Sequence, residues 1–198
     1  MISESINFNF SFGTIFFNAI PARIAPNAPD FTKFPIPINK NIKSIAVIGP
    51  NADSKTSQLG DYVVSDVLQD VVTVLDGIKN KVSSQTKVVY VKGCEVLGDK
   101  VNEISEARKA AKEADVAVVV LGESQRTVGE AYDVFDLDLI GLQKKLIKAV
   151  YETGTPTIAV LVNGRPLSIR WIAEKIPAII EAWNCGEQGG YAVADVLF

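Results

Sequence analysis

The chain has 198 residues, 47% of them hydrophobic and 22% charged, with a formal net charge of −3, a composition suited to one globular domain with a sizeable core. It contains no histidine, which excludes Ser-His and Cys-His nucleophiles and histidine metal sites, and its two cysteines, Cys94 and Cys185, are too far apart for zinc spacing. The acidic balance leaves no basic footprint for nucleic acid, and no run of some 18 apolar residues could span a bilayer as a helix.

Residues 1–34 differ in kind from the rest of the chain. Seven of the nine phenylalanines fall there, among Asn, Pro and Ala, with neither helical nor strand period. Glu4 and the scattered Asn7, Asn9 and Asn18 do not fit a secretory leader, so a cytoplasmic location is expected. The segment is expected to be poorly ordered or non-native, with an ordered edge segment as the alternative.

From Ile42 onward, apolar runs of strand length alternate with helical patterns, the signature of βαβ units and a parallel sheet. The predicted strands are Ser44 to Ile48, Lys87 to Val91, Val116 to Leu121, Thr157 to Val162 and Ala178 to Ala182. Each is nearly all apolar, as strands covered on both faces should be. A helix is predicted over Asn102 to Ala114, with Ile104, Ala107, Ala110 and Ala111 on one face. Another is predicted over Leu142 to Tyr151, stopped by Gly154 and Pro156. Pro166 is placed near the start of the next helix, and Gly189 and Gly190 open the last, which runs to Phe198. The fold class implied by this alternation is α/β: a three-layer sandwich around a mainly parallel, flavodoxin-like sheet. Cys94 and Cys185 are read as reduced thiols in or near the core.

One stretch imitates a phosphate loop. Gly49 to Thr56 follows a strand with the right length, but Ser54 replaces the second glycine, Pro50 lacks an N–H and Asp53 would repel an anion. Nucleotide binding is therefore not expected.

In an open parallel sheet, ligands bind beyond the carboxyl ends of the strands, so the loops at Gly122, Asn163 and Trp183 should share one rim. The loop from Gly122 to about Asp138 is far longer than most strand-to-helix connections and carries Glu123, Glu130 and Asp133. From the residues alone it is a site or a solvated acidic loop. Asn163-Gly-Arg-Pro166 and Gly186 to Gly190 read first as sharp turns, with Arg165 available to pair with a loop acid.

The chain carries, in order, the blocks Ile45-Ala-Val-Ile-Gly-Pro-Asn-Ala-Asp53, Val72 to Ile78, Gly122 to Asp133, Leu137 to Gln143, Asn163 to Pro166, and Ala182 to Gly190. Their series resembles the second, α/β domain of glycoside hydrolase family 3, whose members include β-glucosidases and β-xylosidases. The resemblance covers about Pro35 to Phe198 and implies a domain truncated at its C-terminus, since family members continue beyond this point. It also implies that a barrel domain, in cis or in trans, holds the nucleophilic Asp. The glutamate matching the family's general acid/base is Glu130, in Val128-Gly-Glu-Ala131; Glu123 is the alternative, or a residue that orients the loop or binds a hydroxyl. Glu123, Arg126, Tyr132 and Asp133 are implied as substrate-binding. The implied ligand is a β-linked oligosaccharide or glycoside, with no metal and no cofactor. Departures are Val134 after Asp133 where the family has arginine, Ile140 where it has proline, and Cys185 where it again has proline. A non-catalytic remnant or carbohydrate-binding module is the alternative function, and an uncovered docking face would favour homo-oligomers.

Overall fold

Side chains alternate across an extended strand, so a strand apolar at every position must be covered on both faces. In the computed structural model, residues 36–63, 67–100 and 102–198 are described; the expectations for residues 1–34 lie outside them. Five largely apolar strands form one sheet: β1 (Ser44–Ile48), β2 (Lys87–Val91), β3 (Val116–Gly122), β4 (Thr157–Val162) and β5 (Ala178–Glu181). The order is β2-β1-β3-β4-β5 and every pairing is parallel, the flavodoxin-like arrangement. The predicted strand limits shift at two ends. β3 gains Gly122, which pairs with Val162, and β5 stops at Glu181 rather than Ala182.

The helices are α1 (Val74–Lys81), α2 (Ile104–Lys112), α3 (Gln143–Tyr151), α4 (Arg170–Lys175) and α5 (Gly189–Leu197). Val47, Val118 and Val160 point to one face, where they pack with Val74 and Ile78 of α1 and Val193 and Leu197 of α5. Their neighbours Ala46, Val119 and Ala159 point the other way, against Ala107 and Ala111 of α2, Leu146 and Val150 of α3 and Ile172 of α4. Three layers result: two helices, the sheet, three helices.

Two elements differ from the sequence reading. α1 has no counterpart there, since the β-branched run Val71-Val-Thr-Val74 carries no helical signal. The first part of that run is indeed used extended: Val72 donates its N–H to the Glu187 carbonyl (2.8 Å) and accepts from Gly190 (3.1 Å). Thr73 then caps the helix, its hydroxyl accepting from the Asp76 N–H at 3.1 Å. The other difference is Pro166, which lies in an irregular segment, with α4 starting only at Arg170. The backbone ahead of that helix is engaged elsewhere, since Ser168 donates to the Leu137 carbonyl at 2.7 Å.

α1 and α5 touch through glycine. A Cβ on Gly77 would lie 2.0 Å from the Gly190 carbonyl oxygen, and one on Gly190 would lie 2.0 Å from that of Thr73. Alanine at an exposed helical glycine adds about 1 kcal/mol of stability. Here the sign should reverse, with Gly77→Ala expected to lower the unfolding free energy by about 1–3 kcal/mol through overpacking. A urea midpoint unchanged or raised by Gly77→Ala would show that the two helices can separate without loss.

Candidate functional site

Because all five strands run the same way, their carboxyl ends share one edge. β2 and β3 lie on opposite sides of β1, so the connections out of β1 and β3 diverge and leave a crevice between them. The ends there are cross-tied by buried amides. Gln143, at the start of α3, accepts from the Gly122 N–H and donates to the Gly122 carbonyl, both at 2.8 Å, closing the base of the long loop. Asn51, just past β1, donates to the carbonyls of Glu123 (2.9 Å) and Val162 (3.1 Å), joining three strand ends.

Glu123 is 2% exposed. Its Oε2 accepts from the Gly164 and Arg165 N–H groups, each at 3.2 Å, and its Oε1 lies 2.8 Å from Arg165 Nε. Arg165 reaches on to donate to the Thr127 carbonyl. The pairing of Arg165 with a loop acid thus takes the form of a clamp, with one carboxylate from the β3 loop and all its donors from the β4 loop. Two backbone donors on one oxygen and the guanidinium charge beside the other are what make this buried carboxylate tolerable.

Glu130 has the opposite setting. It is exposed, between Gly129 at φ 135° and Ala131 at φ 66°, two residues in the left-handed half of backbone space. Only Gly129 takes that conformation without strain. The loop after β1 holds this tip. Gln125 donates to the Gly60 carbonyl (2.7 Å), the Asp61 carboxylate accepts from the Glu130 N–H (3.4 Å), and the Tyr62 hydroxyl donates to Glu130 Oε2 (2.8 Å). That last bond, with burial second and the Asp61 charge third, raises the Tyr62 phenol above its ordinary value.

Arg126, Tyr132 and Asp133 are also exposed on this loop, together with Phe135 and Leu137. Glu130 and Glu123 share the loop but not a contact, and among the described residues Arg126 is tied through its N–H to the Ser124 hydroxyl. Farther along, Asp138 is held below the usual carboxylate range by its hydrogen bond to Lys144. On the neighbouring strand end, burial pushes the Glu181 carboxyl up, against the opposing hydrogen bonds from Trp183 and Asn163.

Burial likewise pushes the thiols up, Cys94 to about 12 and Cys185 to about 11; both are free, the first buried and the second half-buried. The phosphate-loop imitation closes on itself, with Asp53 accepting from the Thr73 hydroxyl at 3.1 Å and Ser54 against Ser57 at 2.7 Å. Among the described residues, no group of three or more Cys, Asp or Glu side chains could hold a metal, and no helix is long and apolar enough to cross a membrane. Sequence reading missed Asn51, Asp61 and Tyr62. Asn51 lies within the Ile45 to Asp53 block, but nothing in the Gly60-Asp-Tyr62 run signals a partner 68 residues away.

A family model described as the glycosyl hydrolase family 3 C-terminal domain matches residues 34–198. A β-xylosidase of Formosa agariphila is 46% identical over 173 residues, covering 85% of this chain and 24% of that protein. A periplasmic β-glucosidase of Salmonella typhimurium is 39% identical over 183 residues, covering 82% of this chain and 24% of that protein. The crystal structure of a β-glucosidase from Listeria innocua in complex with isofagomine has a TM-score of 0.73 at 32% identity, over 82% of this chain and 22% of that one. The chain spans about a quarter of the length of the curated relatives it matches.

Glu123 and Glu181 make separate predictions. Removing one partner of a buried ion pair costs about 3–5 kcal/mol, and the Arg165 side chain keeps 18% exposure, so Glu123→Ala should cost about 3 kcal/mol by denaturant unfolding. A loss under about 0.5 kcal/mol, typical of a surface pair, would show that the clamp contributes little. For Glu181 the folded state favours the protonated acid. Its contribution is therefore present below the unfolded carboxyl range and lost as pH rises through the raised folded value. Glu181→Gln should raise the thermal midpoint at about pH 7 and lose that advantage near about pH 4; the reverse trend would contradict the burial effect.

Proposed function

Because the chain belongs to the C-terminal domain of glycosyl hydrolase family 3, we propose that it serves as the second domain of a retaining β-glycosidase, with Glu130 as general acid/base. The reaction is hydrolysis of terminal, non-reducing β-D-glucosyl or β-D-xylosyl residues, and the nucleophile comes from a barrel domain in cis or in trans. The observation that carries this reading is the contrast between the two glutamates. Glu130 presents an exposed carboxylate at the crevice beside β1 and β3, whereas the Glu123 carboxylate is buried against two backbone N–H groups and the Arg165 guanidinium.

Retaining hydrolysis needs two carboxyl groups about 5–5.5 Å apart across the scissile bond. The acid must reach the glycosidic oxygen, protonate it as the bond breaks, and then take a proton from the water that attacks the glycosyl-enzyme. A tip that projects beyond the rim can meet a nucleophile carried by another domain, and a carboxylate locked beneath the rim cannot. Glu123 is accordingly assigned the orienting role. Arg126, Tyr132 and Asp133 are placed at the sugar, and the exposed Phe135 and Leu137 on the same loop suit a face that another domain covers.

The chain alone is expected to release no nitrophenol from aryl β-glucosides or β-xylosides. When it is paired with a family 3 barrel, Glu130→Ala should lower kcat for poor leaving groups by about 10²–10⁴-fold. Activated aryl glycosides should suffer less, and azide should restore turnover by attacking a glycosyl-enzyme that lacks its base. Glu123→Ala, in preparations matched for folded fraction, should show neither the leaving-group dependence nor the azide response. Azide rescue that follows Glu123 reverses the assignment; rescue at neither residue moves the acid/base off this loop.

A further inference from the structure

Three consecutive residues of the loop after β1 each hold a different part of the loop after β3. Gly60 takes the Gln125 side chain on its carbonyl, Asp61 takes the Glu130 N–H, and Tyr62 donates its hydroxyl to the Glu130 carboxylate. The fit includes the space left by Gly129. A Cβ there would come within 2.8 Å of the Asp61 carboxyl carbon and one of its oxygens, so the strap lies where a side chain would be. Tyr62 itself is 84% exposed, so little of its ring is buried, and among the described residues its hydroxyl is hydrogen-bonded to Glu130. An exposed glutamate on a flexible stem samples many rotamers, and a general acid is effective only in the few that point at the leaving oxygen.

We propose that Tyr62 is a positioning residue for Glu130, its phenol fixing the direction of the acid/base carboxyl across the crevice between the β1 and β3 loops. The inference rests on the assignment of Glu130 as general acid/base. Tyr62 touches neither the glycosidic oxygen nor the nucleophile in this scheme. It donates to one carboxyl oxygen, Oε2, and leaves Oε1 to exchange the proton with substrate and water. The donor role of the phenol is the same whether Glu130 is protonated or ionised, so the contact survives both halves of the double displacement.

Two measurements test it. In the chain itself, with ring-carbon-labelled tyrosine followed by NMR, the Tyr62 ionisation should lie above the ordinary tyrosine value and fall toward it in Glu130→Gln. A midpoint that Glu130→Gln leaves in place overturns the proposal. In the chain paired with a family 3 barrel, Tyr62→Phe should lower kcat on poor leaving groups by about tenfold with KM unchanged, without azide rescue, and should add no further loss to Glu130→Gln. The thermal midpoint of Tyr62→Phe should match that of the parent, because the ring is exposed. Full activity in Tyr62→Phe while Glu130→Ala keeps its azide response overturns the positioning role and leaves the acid/base standing. A loss that adds in full to Glu130→Gln also overturns it, since Tyr62 would then act by another route. If the tyrosine titration responds to Glu130 but azide rescue is absent there, the acid/base assignment is what has failed, and the positioning role falls with it.

Discussion

The carboxylate of Glu123 decides where the long loop can go. It emerges one residue past β3, and its partners among the described residues belong to the next loop over, at Gly164 and Arg165. A buried carboxylate without these donors would be costly enough to expel itself to solvent and carry the loop with it. With them, two neighbouring strand ends become one rigid corner, and Arg165 extends the hold four residues on, to the Thr127 carbonyl. Such a pair is weak support for stability as a whole, since burying two charges offsets much of their attraction. Its effect is geometric: it sets the departure of the chain, and the tip carrying Glu130 lies only a few residues farther.

The rim is therefore a hierarchy of constraint. The strand ends are fixed by backbone ladders and by the amides of Asn51 and Gln143. The first turn of the loop is fixed by an ion pair, and its tip is held by hydrogen bonds at an exposed surface. Each step outward gives up burial and keeps fewer contacts, so the tip of the loop is the part most readily moved. The left-handed backbone at Ala131, unfavourable for a residue with a Cβ, sits at this outermost level.

The sheet was legible because nothing competes with its pattern. Val116 to Leu121 and Thr157 to Val162 are apolar at nearly every position, and only a strand between two helical layers has that use for them. The stripes of α2 and α3 were legible for the same reason. α1 was not, since Val71 to Val74 carries a strand's composition and only the Thr73 cap, together with pairing to the distant Glu187 to Gly190 turn, separates extended chain from helix. Pro166 misled because proline permits a helix start without requiring one. In the site, the residue types were legible and their fates were not. Glu123 and Glu130 differ by burial, and their settings depend on Arg165, 42 residues after the first, and on the Gly60 to Tyr62 run, some 70 residues before the second. Local periodicity carries no information about either.

The raised thiols of Cys94 and Cys185 have a bearing on the charge of the whole domain. The chain has no imidazole, and its two sulfhydryls, pushed up to about 12 and about 11, keep their protons through neutral solution. Neither of these residue types therefore exchanges protons there. The charge carried by these residue types thus stays level through neutrality, where that of a histidine-bearing scaffold would drift.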